Sequence, residues 1–537
     1  MKRQVLTLFL VALVVRLGTA LLILNPGYLD AAYYAAGAVR MARGGGFSEA
    51  FVWNYLSDPV SVVHPGFLYW MPLSSLLAAP FAFLWPDSFL ALQMPFAILS
   101  AVLPVTAYGL TWHTTGQKGL AWMAGLVTVS SGFFFPYWTL PETFTPFALA
   151  GSLALWLAGQ RDAQTGEAWT RRGRWLVVGL LAGLAHLTRA DGVLLLGVVV
   201  LAPFVTGHGD CVERASEDGL RRGAPIDLSP LRSAASGLLP IVLGYLLVMA
   251  PWFARNIAVA GAPLPPATLK TVWLTDYDDL FCYDCDLSPS SFISWGWNNV
   301  LRSKLFALWT NAQRFLAESC LVFLFPLAAL GFYRLRRLVP FQLAMIYLGA
   351  VYVAHSLVFT LPGWRGGFFH ASSALFPFLV SAAMTGLDAA VIWAADRRRS
   401  WRTELARRFL GIGAVALAVI LSAYVGGGKI ATWRTADAVY GQVDRWLTDQ
   451  GAAGGGVVVG NPPAFWYYTD RAAIVIPNGD VETLLAAADR YDMRYVLLEP
   501  DHPVGLDDLY VGKMRHSRLR VLRSWSGGHT VLYAVEP

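Results

Sequence analysis

Charged side chains are scarce in this chain. Asp, Glu, Lys and Arg make up 14% of its 537 residues, where a soluble globular domain carries about 25%. The shortfall argues against a water-soluble domain: 56% of the residues are hydrophobic, and they gather in apolar runs of roughly 18 to 25 residues, the length that crosses a bilayer. Cysteine is rarer still. Of the four, only Cys282 and Cys285 form a C-x-x-C. Zinc would need two further ligands that no nearby Cys or His pair supplies, so a disulfide in an oxidising compartment is the expectation. No N-x-S/T glycosylation acceptor occurs, and no internal repeat is found. No G-x-G-x-x-G follows a strand-like run, so a nucleotide site has little support. The net charge of +6 comes from Arg in short loops, a positive-inside pattern and not a nucleic-acid patch.

What the chain has is a series of apolar runs, near 4–24, 67–86, 88–112, 119–136, 143–159, 175–188, 191–207, 237–254, 316–333, 338–361, 371–395 and 409–425. The basic loops 160–174, 208–236, 334–337 and 396–408, with the MKR start, should face the cytoplasm. Those sides conflict by one crossing if every run spans. Run 67–86 carries Pro72 and Pro80, which break a helix interior, so it is expected to be re-entrant or interfacial. Eleven spans remain, with the amino end cytoplasmic and the carboxyl end extracytoplasmic. The first run lacks a small-residue cleavage site and reads as a retained span. The outer side then receives 25–87, 137–142, 189–190, 255–315, 362–370 and everything after about 426.

The tail changes character. Strand-like runs at 457–460, 473–477, 494–500, 518–525 and 530–537, a helical pattern from Val481 to Arg490 and a hairpin at Gly527-Gly528 predict a small α/β domain. The expected fold class is therefore a mostly α polytopic membrane protein, residues 1–425, with a C-terminal extracytoplasmic α/β domain, residues 426–537.

Polar residues on the outer side are the candidates for chemistry. Asp30 stands beside Tyr33 and Tyr34 at the head of an amphipathic helix, 31–43, stopped by Gly44 to Gly46 and expected to lie in the membrane interface with its apolar face in the lipid. A lone carboxylate at the membrane edge is read as functional by default, although Asp also caps helices. Glu142, in TLPETFTP, is a second carboxylate or a cap. Arg189 and Asp191 either pair with each other or leave Arg189 free for phosphate. Arg255 follows Pro251-Trp252 and either snorkels or binds anions. His64 precedes Pro65. In Trp364-Arg365-Gly-Gly-Phe-Phe-His370 the glycine pair permits close approach of a ligand to the backbone. The aspartates at 276, 278, 279, 284 and 286 could bind a divalent cation through oxygen or form a solvated acidic face.

These pieces, in this order, resemble the GT-C superfamily of polytopic glycosyltransferases, and most of all bacterial relatives of protein mannosyltransferases and aminoarabinose lipid A transferases. The carrying stretches are Asp30 with Tyr33 and Tyr34, HPGFLYW from His64, GLLAGLAHLTRADG (179–192), PWFARNIAVAGAPLP (251–265) and the turn from Arg365 to His370. The resemblance implies a polyprenyl-phosphate-linked sugar donor bound from the outer face and a glycan, lipid or protein acceptor, with membrane lipid as surroundings, no nucleic acid and no certain cofactor. It implies that Asp30 acts as base or orients the acceptor. His64 falls near the donor phosphate, and Arg365 or His370 where a basic residue precedes a late span. Such a transfer needs a base for the acceptor hydroxyl and cations for the leaving phosphate. His64, Arg189, Arg255, Arg365 and His370 are the candidate cations. Tyr33, Tyr34, Glu142 and Asp191 are candidate substrate contacts. A lipid-sugar transporter would show pseudo-repeated halves and breaks near mid-membrane, neither of which is seen, and a non-catalytic assembly protein would tolerate loss of Asp30.

The sidedness has a direct check. A cysteine introduced into the tail should react with a membrane-impermeant reagent in intact cells, and labelling only after lysis would reverse the assignment.

Overall fold

A computed structural model describes residues 2–160, 168–217, 229–398, 401–452 and 454–537. The basic positions Arg161, Arg221 and Arg222 lie outside them, as do the side chains of Arg171, Arg214 and Arg232. Among the described residues six helices are long and apolar enough to cross a membrane: Lys2–Leu22, Phe89–Thr115, Ser236–Ala260, Val339–Val358, Thr360–Arg397 and Thr403–Asp449. A seventh is added if Lys118–Ser130 and Gly132–Thr139, bent by 64°, count as one span. The chain is a multi-pass membrane protein by these helices. Three apolar helices are shorter, Leu73–Leu84, Phe144–Ala158 and Gly192–Val205. The first of them, 12 residues long, covers only about 18 Å at 1.5 Å per residue and packs between Leu29–Ala42 and Phe89–Ser100.

The bend after Ser130 is held by two partners distant in sequence. Arg16, fully buried in the first helix, donates to Thr128 O (3.3 Å) and Ser131 Oγ (3.4 Å). Ser422 Oγ accepts from Gly132 N (2.8 Å). Carbonyls freed at a broken helix end are satisfied by a cation from a neighbouring span, the arrangement that low dielectric requires.

The helix that follows the first span differs from its expected setting. Leu29–Ala42 does not lay an apolar face in lipid: every residue from Ala31 to Ala38 is buried in protein. Its small side chains permit this. Ala31, Ala35 and Ala38 share a core with Ala78, Leu92 and Phe96. On the opposite face Tyr33 and Tyr34 share one with Phe51, Trp53, Tyr440, Val457 and Trp466. Alanine on one face and tyrosine on the other let the helix pack against the membrane helices and the tail at once.

The tail holds most of a six-stranded sheet. In chain order the strands are β1 (Ser48–Glu49), β2 (Phe51–Val52), β3 (His64–Pro65), β4 (Gly456–Val459), β5 (Ala473–Val475), β6 (Met493–Leu498), β7 (Leu519–Trp525) and β8 (Thr530–Val535). The sheet order is β2-β5-β4-β6-β8-β7. The strands β2, β5, β4 and β6 run parallel; β8 and β7 close the sheet as an antiparallel hairpin, turning at Gly527 and Gly528 with positive φ. Val481–Arg490 is a helix as its pattern predicts. The edge strand β2 comes from the first loop, more than 400 residues upstream, with Phe51 opposite Ala473. Tyr55 OH donates to Val475 O (2.6 Å) beside it, and β1 pairs separately with β3. The helix that leads into the tail runs to Thr435.

Close packing of Phe325–Leu335 on Phe376–Arg397 depends on a reciprocal glycine pair. A Cβ at Gly331 would strike Ala382 O, and one at Gly386 would strike Leu327 O. Small residues let helix backbones approach in membranes. Gly331→Val should therefore force the helices apart, at an overpacking cost of about 1–3 kcal/mol, read as a lower melting temperature of the detergent-solubilised protein; an unchanged melt would show that the crossing is not tight.

Candidate active site

A cavity of about 970 Å³ lies between the membrane helices and the tail. It gathers the first loop, the turns near 142, 190 and 365, the segment 264–281 and the ends of three tail strands. Asp30 reaches it from the first turn of Leu29–Ala42. The cap position of that helix is Tyr28, whose side chain makes no capping bond, so capping does not account for Asp30.

His370 stands between two carboxylates. Its Nδ1 lies 3.1 Å from Glu142 Oε1 and 3.0 Å from Thr143 Oγ1, and its Nε2 lies 3.9 Å from Asp30 Oδ2. The ring stacks on Phe144 at 4.0 Å. Glu142 does two jobs, because its other oxygen accepts from Phe144 N (2.9 Å) at the start of the next helix. The two carboxylates are not equivalent. Glu142 has a side chain only 1% exposed; burial opposes its charge, and His370 and the Phe144 amide outweigh burial, holding it below the usual carboxylate range. Asp30 lacks such bonds. Burial pushes its carboxyl up to about 6 against the pull of His370, and with 30% of its side chain open to the cavity it is the carboxylate that substrate can reach. One Asp oxygen, one Glu oxygen and one His nitrogen here lie within 4.8 Å of one another, a mixed donor set that could hold a divalent cation. Asp276 and Asp279, offered by the sequence for that role, instead cap the turn Tyr277–Phe281.

A second group adjoins the first through Thr143. Asp191 accepts from Arg189 Nε (2.9 Å) and Nη2 (2.8 Å), a bidentate pair, and lies 2.9 Å from His355 Nε2. Arg189 also reaches Thr143 Oγ1 (3.5 Å) and Gly367 O (3.4 Å). Burial works against the Asp191 charge, but Arg189 and His355 hold its carboxyl far below its ordinary range. Arg189 lines the cavity with most of its donors committed, so the phosphate role suggested for it has few N–H groups left.

Other cations are freer. Arg365 lines the cavity with its guanidinium over Tyr277 (4.8 Å) and Trp364 (5.1 Å). Arg314, Glu318 and Lys429 line it as well, Arg314 lying 3.8 Å from Glu318. Glu318, His355 and Arg365 all stand on π-helical turns, Phe315–Ser319, Ala354–Val358 and Gly363–Gly367. An extra residue in a turn re-aims the side chains, and such turns collect at functional sites. Glu318 and His355 were passed over in the sequence although they interrupt apolar runs, and that interruption is the signal that could have found them.

Three sequence candidates go elsewhere. His64 pairs with Glu49 (3.5 Å) and Val62 O (2.9 Å) and does not line the cavity. Glu49 explains why: its Oε1 accepts from Tyr33 OH (2.6 Å) and Phe67 N (2.7 Å), and its other oxygen draws His64. Tyr33 is thus buried in that knot, whereas Tyr34 faces the cavity. Arg255 is a clasp, donating to Phe47 O and Gly66 O (2.8 Å each) over Trp252.

Solved structures of this shape are known. Over 99% of the chain and 98% of the other, it superposes on ArnT from Cupriavidus metallidurans bound to undecaprenyl phosphate, with a TM-score of 0.58 at 14% identity. The chain has the GT-C fold. It is also similar to the archaeal oligosaccharyltransferase AglB from Archaeoglobus fulgidus in complex with an inhibitory peptide and a dolichol-phosphate, TM-score 0.52 at 12% identity, covering 95% of this chain and 70% of that one. No family model and no curated protein matches the sequence. At such identities the GT-C fold is shared, and residue roles must be argued from this cavity.

The Asp191 hub is open to test. Asp191→Asn leaves Arg189 buried without its counter-charge, a loss of about 3–5 kcal/mol for a broken buried pair. The variant should melt well below the wild type, and an equal melting temperature would mean that water already satisfies Arg189.

Proposed function

We propose that the protein is a membrane glycosyltransferase that transfers a sugar from a polyprenyl-phosphate donor to an acceptor hydroxyl on the extracytoplasmic face. The observation that carries this reading is Asp30: a cavity-facing carboxylate beside His370, which Glu142 fixes from the other side, in a chain of GT-C fold. The acceptor oxygen forms a bond to the anomeric carbon. The bond from that carbon to the phosphate oxygen breaks, and the lipid phosphate leaves with the electron pair. The acceptor proton passes to Asp30. His370 orients and partly neutralises Asp30, and Glu142 fixes the ring. Arg365, with Arg314 and Lys429 along the same cavity, is suited to the phosphate charge that grows as the bond breaks.

The topology proposed with it has eleven crossings, 67–86 not crossing, an amino end in the cytoplasm and a tail, 426–537, outside. It is supported by where the loops gather. The segments expected outside meet in one cavity, while residues near 113, 160 and 337 meet elsewhere around a small void. ArnT and AglB were solved with polyprenyl-type phosphates, which supports the donor class.

Only ionised Asp30 accepts a proton, so turnover should be flat at high pH and fall as pH drops through about 6. Asp30→Asn should lose about 10²- to 10⁴-fold, the contribution of a positioned base, and lose that limb of the profile. With Asp30 as the base, activity survives EDTA. Loss on chelation with recovery on adding a divalent cation would make Asp30 a metal ligand instead, and wild-type turnover in the Asn variant would remove it from the reaction.

A further inference from the structure

The tail meets the cavity by one particular border of its sheet. The chain passes from β4 to β5 on one side, then back across β4 to β6 on the other. Connections from β4 and β6 therefore diverge, and in open parallel sheets the crevice outside the carboxyl ends of the strands at such a point is where ligands bind. Here all three carboxyl ends line the cavity: Gly460 after β4, Ile476 and Asn478 after β5, and Asp501 and His502 after β6.

The opposite wall comes from the membrane part. Asp278 faces Asp501, and burial together with Asp276 and Asp501 raises its carboxyl against Arg365. Tyr277, under Arg365, is close enough to Asp30 for that charge to add to burial in pushing its phenol up to about 12. Tyr69 and Trp70 complete the wall, with Trp53 stacked on Trp70 at 4.2 Å. The crevice is thus continuous with the reacting centre. It offers carboxylate and amide groups beside aromatic faces, a set that takes hydroxyls at its edges and C–H faces of sugar rings on its rings. A peptide would more naturally add along a free strand edge. The edge strands are β2 and β7, and neither lines the cavity.

We propose that the acceptor is a saccharide, free or lipid-borne, and that its hydroxyls are read by Asn478 and Asp501 at the carboxyl border of the tail sheet, with Asp278 opposite. This rests on the transferase reading. A donor dissolved in the bilayer comes to the cavity along the membrane helices, where Arg314 and Lys429 stand, which leaves the tail border to the acceptor.

The test uses the full chain in lipid nanodiscs, radiolabelled undecaprenyl-phosphate sugars as donors and an envelope extract of the source cells as acceptor mixture. Label should enter material that resists protease and that releases, on partial acid hydrolysis, oligosaccharides in which the labelled sugar is linked to a second, unlabelled sugar; label joined directly to a lipid without a second sugar would overturn the proposal. With that fraction purified, Asn478→Ala and Asp501→Asn should each raise the acceptor KM about tenfold, with kcat at saturating acceptor changed less than threefold and the melting temperature retained. The same kinetics with Asn478→Gln should fall between wild type and Ala. Label released by protease, or a rise in the donor KM in place of the acceptor KM, would overturn the proposal. No transfer by the wild type from any lipid-phosphate sugar would instead overturn the transferase reading itself, and this proposal with it.

Discussion

The site depends on a carboxylate pair held apart by one imidazole. Two carboxylates this close in a membrane protein repel, and burial penalises both. His370 resolves the conflict unequally, bonding to Glu142 at 3.1 Å and standing 3.9 Å from Asp30. Glu142, with a backbone amide as well, keeps its charge cheaply; Asp30 is left with the weaker partner and the open side. The same logic runs through Thr143 to Arg189, Asp191 and His355, where a bidentate pair and a histidine share one carboxylate. Of the three carboxylates in these two groups, Glu142 and Asp191 are held below their ordinary range and Asp30 is the one compensated least.

That asymmetry needs a rigid frame, and the frame is assembled from remote pieces. The Leu29–Ala42 helix that carries Asp30 is clamped between membrane helices on its alanine face and the tail on its tyrosine face. The strand β2 just beyond it is hydrogen-bonded into the tail sheet. A change in the seating of the tail would therefore be felt at Asp30 through a short, continuous path. The tail is part of the cavity wall.

Sequence reading expected Asp30, Glu142, Arg189, Asp191, Arg365 and His370 on turns at one side of the membrane; all but Glu142 line the cavity, and Glu142 lies buried behind His370. They were legible because they are polar residues at the ends of apolar runs, a local feature that does not depend on the details of packing. His64 and Tyr33 were misread for one cause: Glu49, in an unremarkable stretch, has two oxygens to satisfy and collects Tyr33, His64 and the Phe67 amide, while Arg255 is taken separately by the Phe47 and Gly66 carbonyls. Nothing in the local pattern at 49 announces this. Glu318 and His355 were hidden differently, since each lies inside a long apolar run and owes its aim into the cavity to a π-helical turn that only the structure shows.

By itself the sequence determined the membrane class, from too few charges and too many long apolar runs. It determined the strands, helix and hairpin of the tail, from alternation, amphipathic spacing and paired glycines. It also determined which turns could share a side, from the arginines. These are local or additive properties, written in consecutive residues. Only the tertiary structure decided which carboxylate is compensated and which is exposed, that Leu29–Ala42 is buried in protein and not in lipid, and that a strand from the first loop completes the tail sheet. Each of those outcomes turns on the partner a buried polar group or an open strand edge finds across hundreds of residues, and pairing at that range is set by geometry that no window of sequence contains.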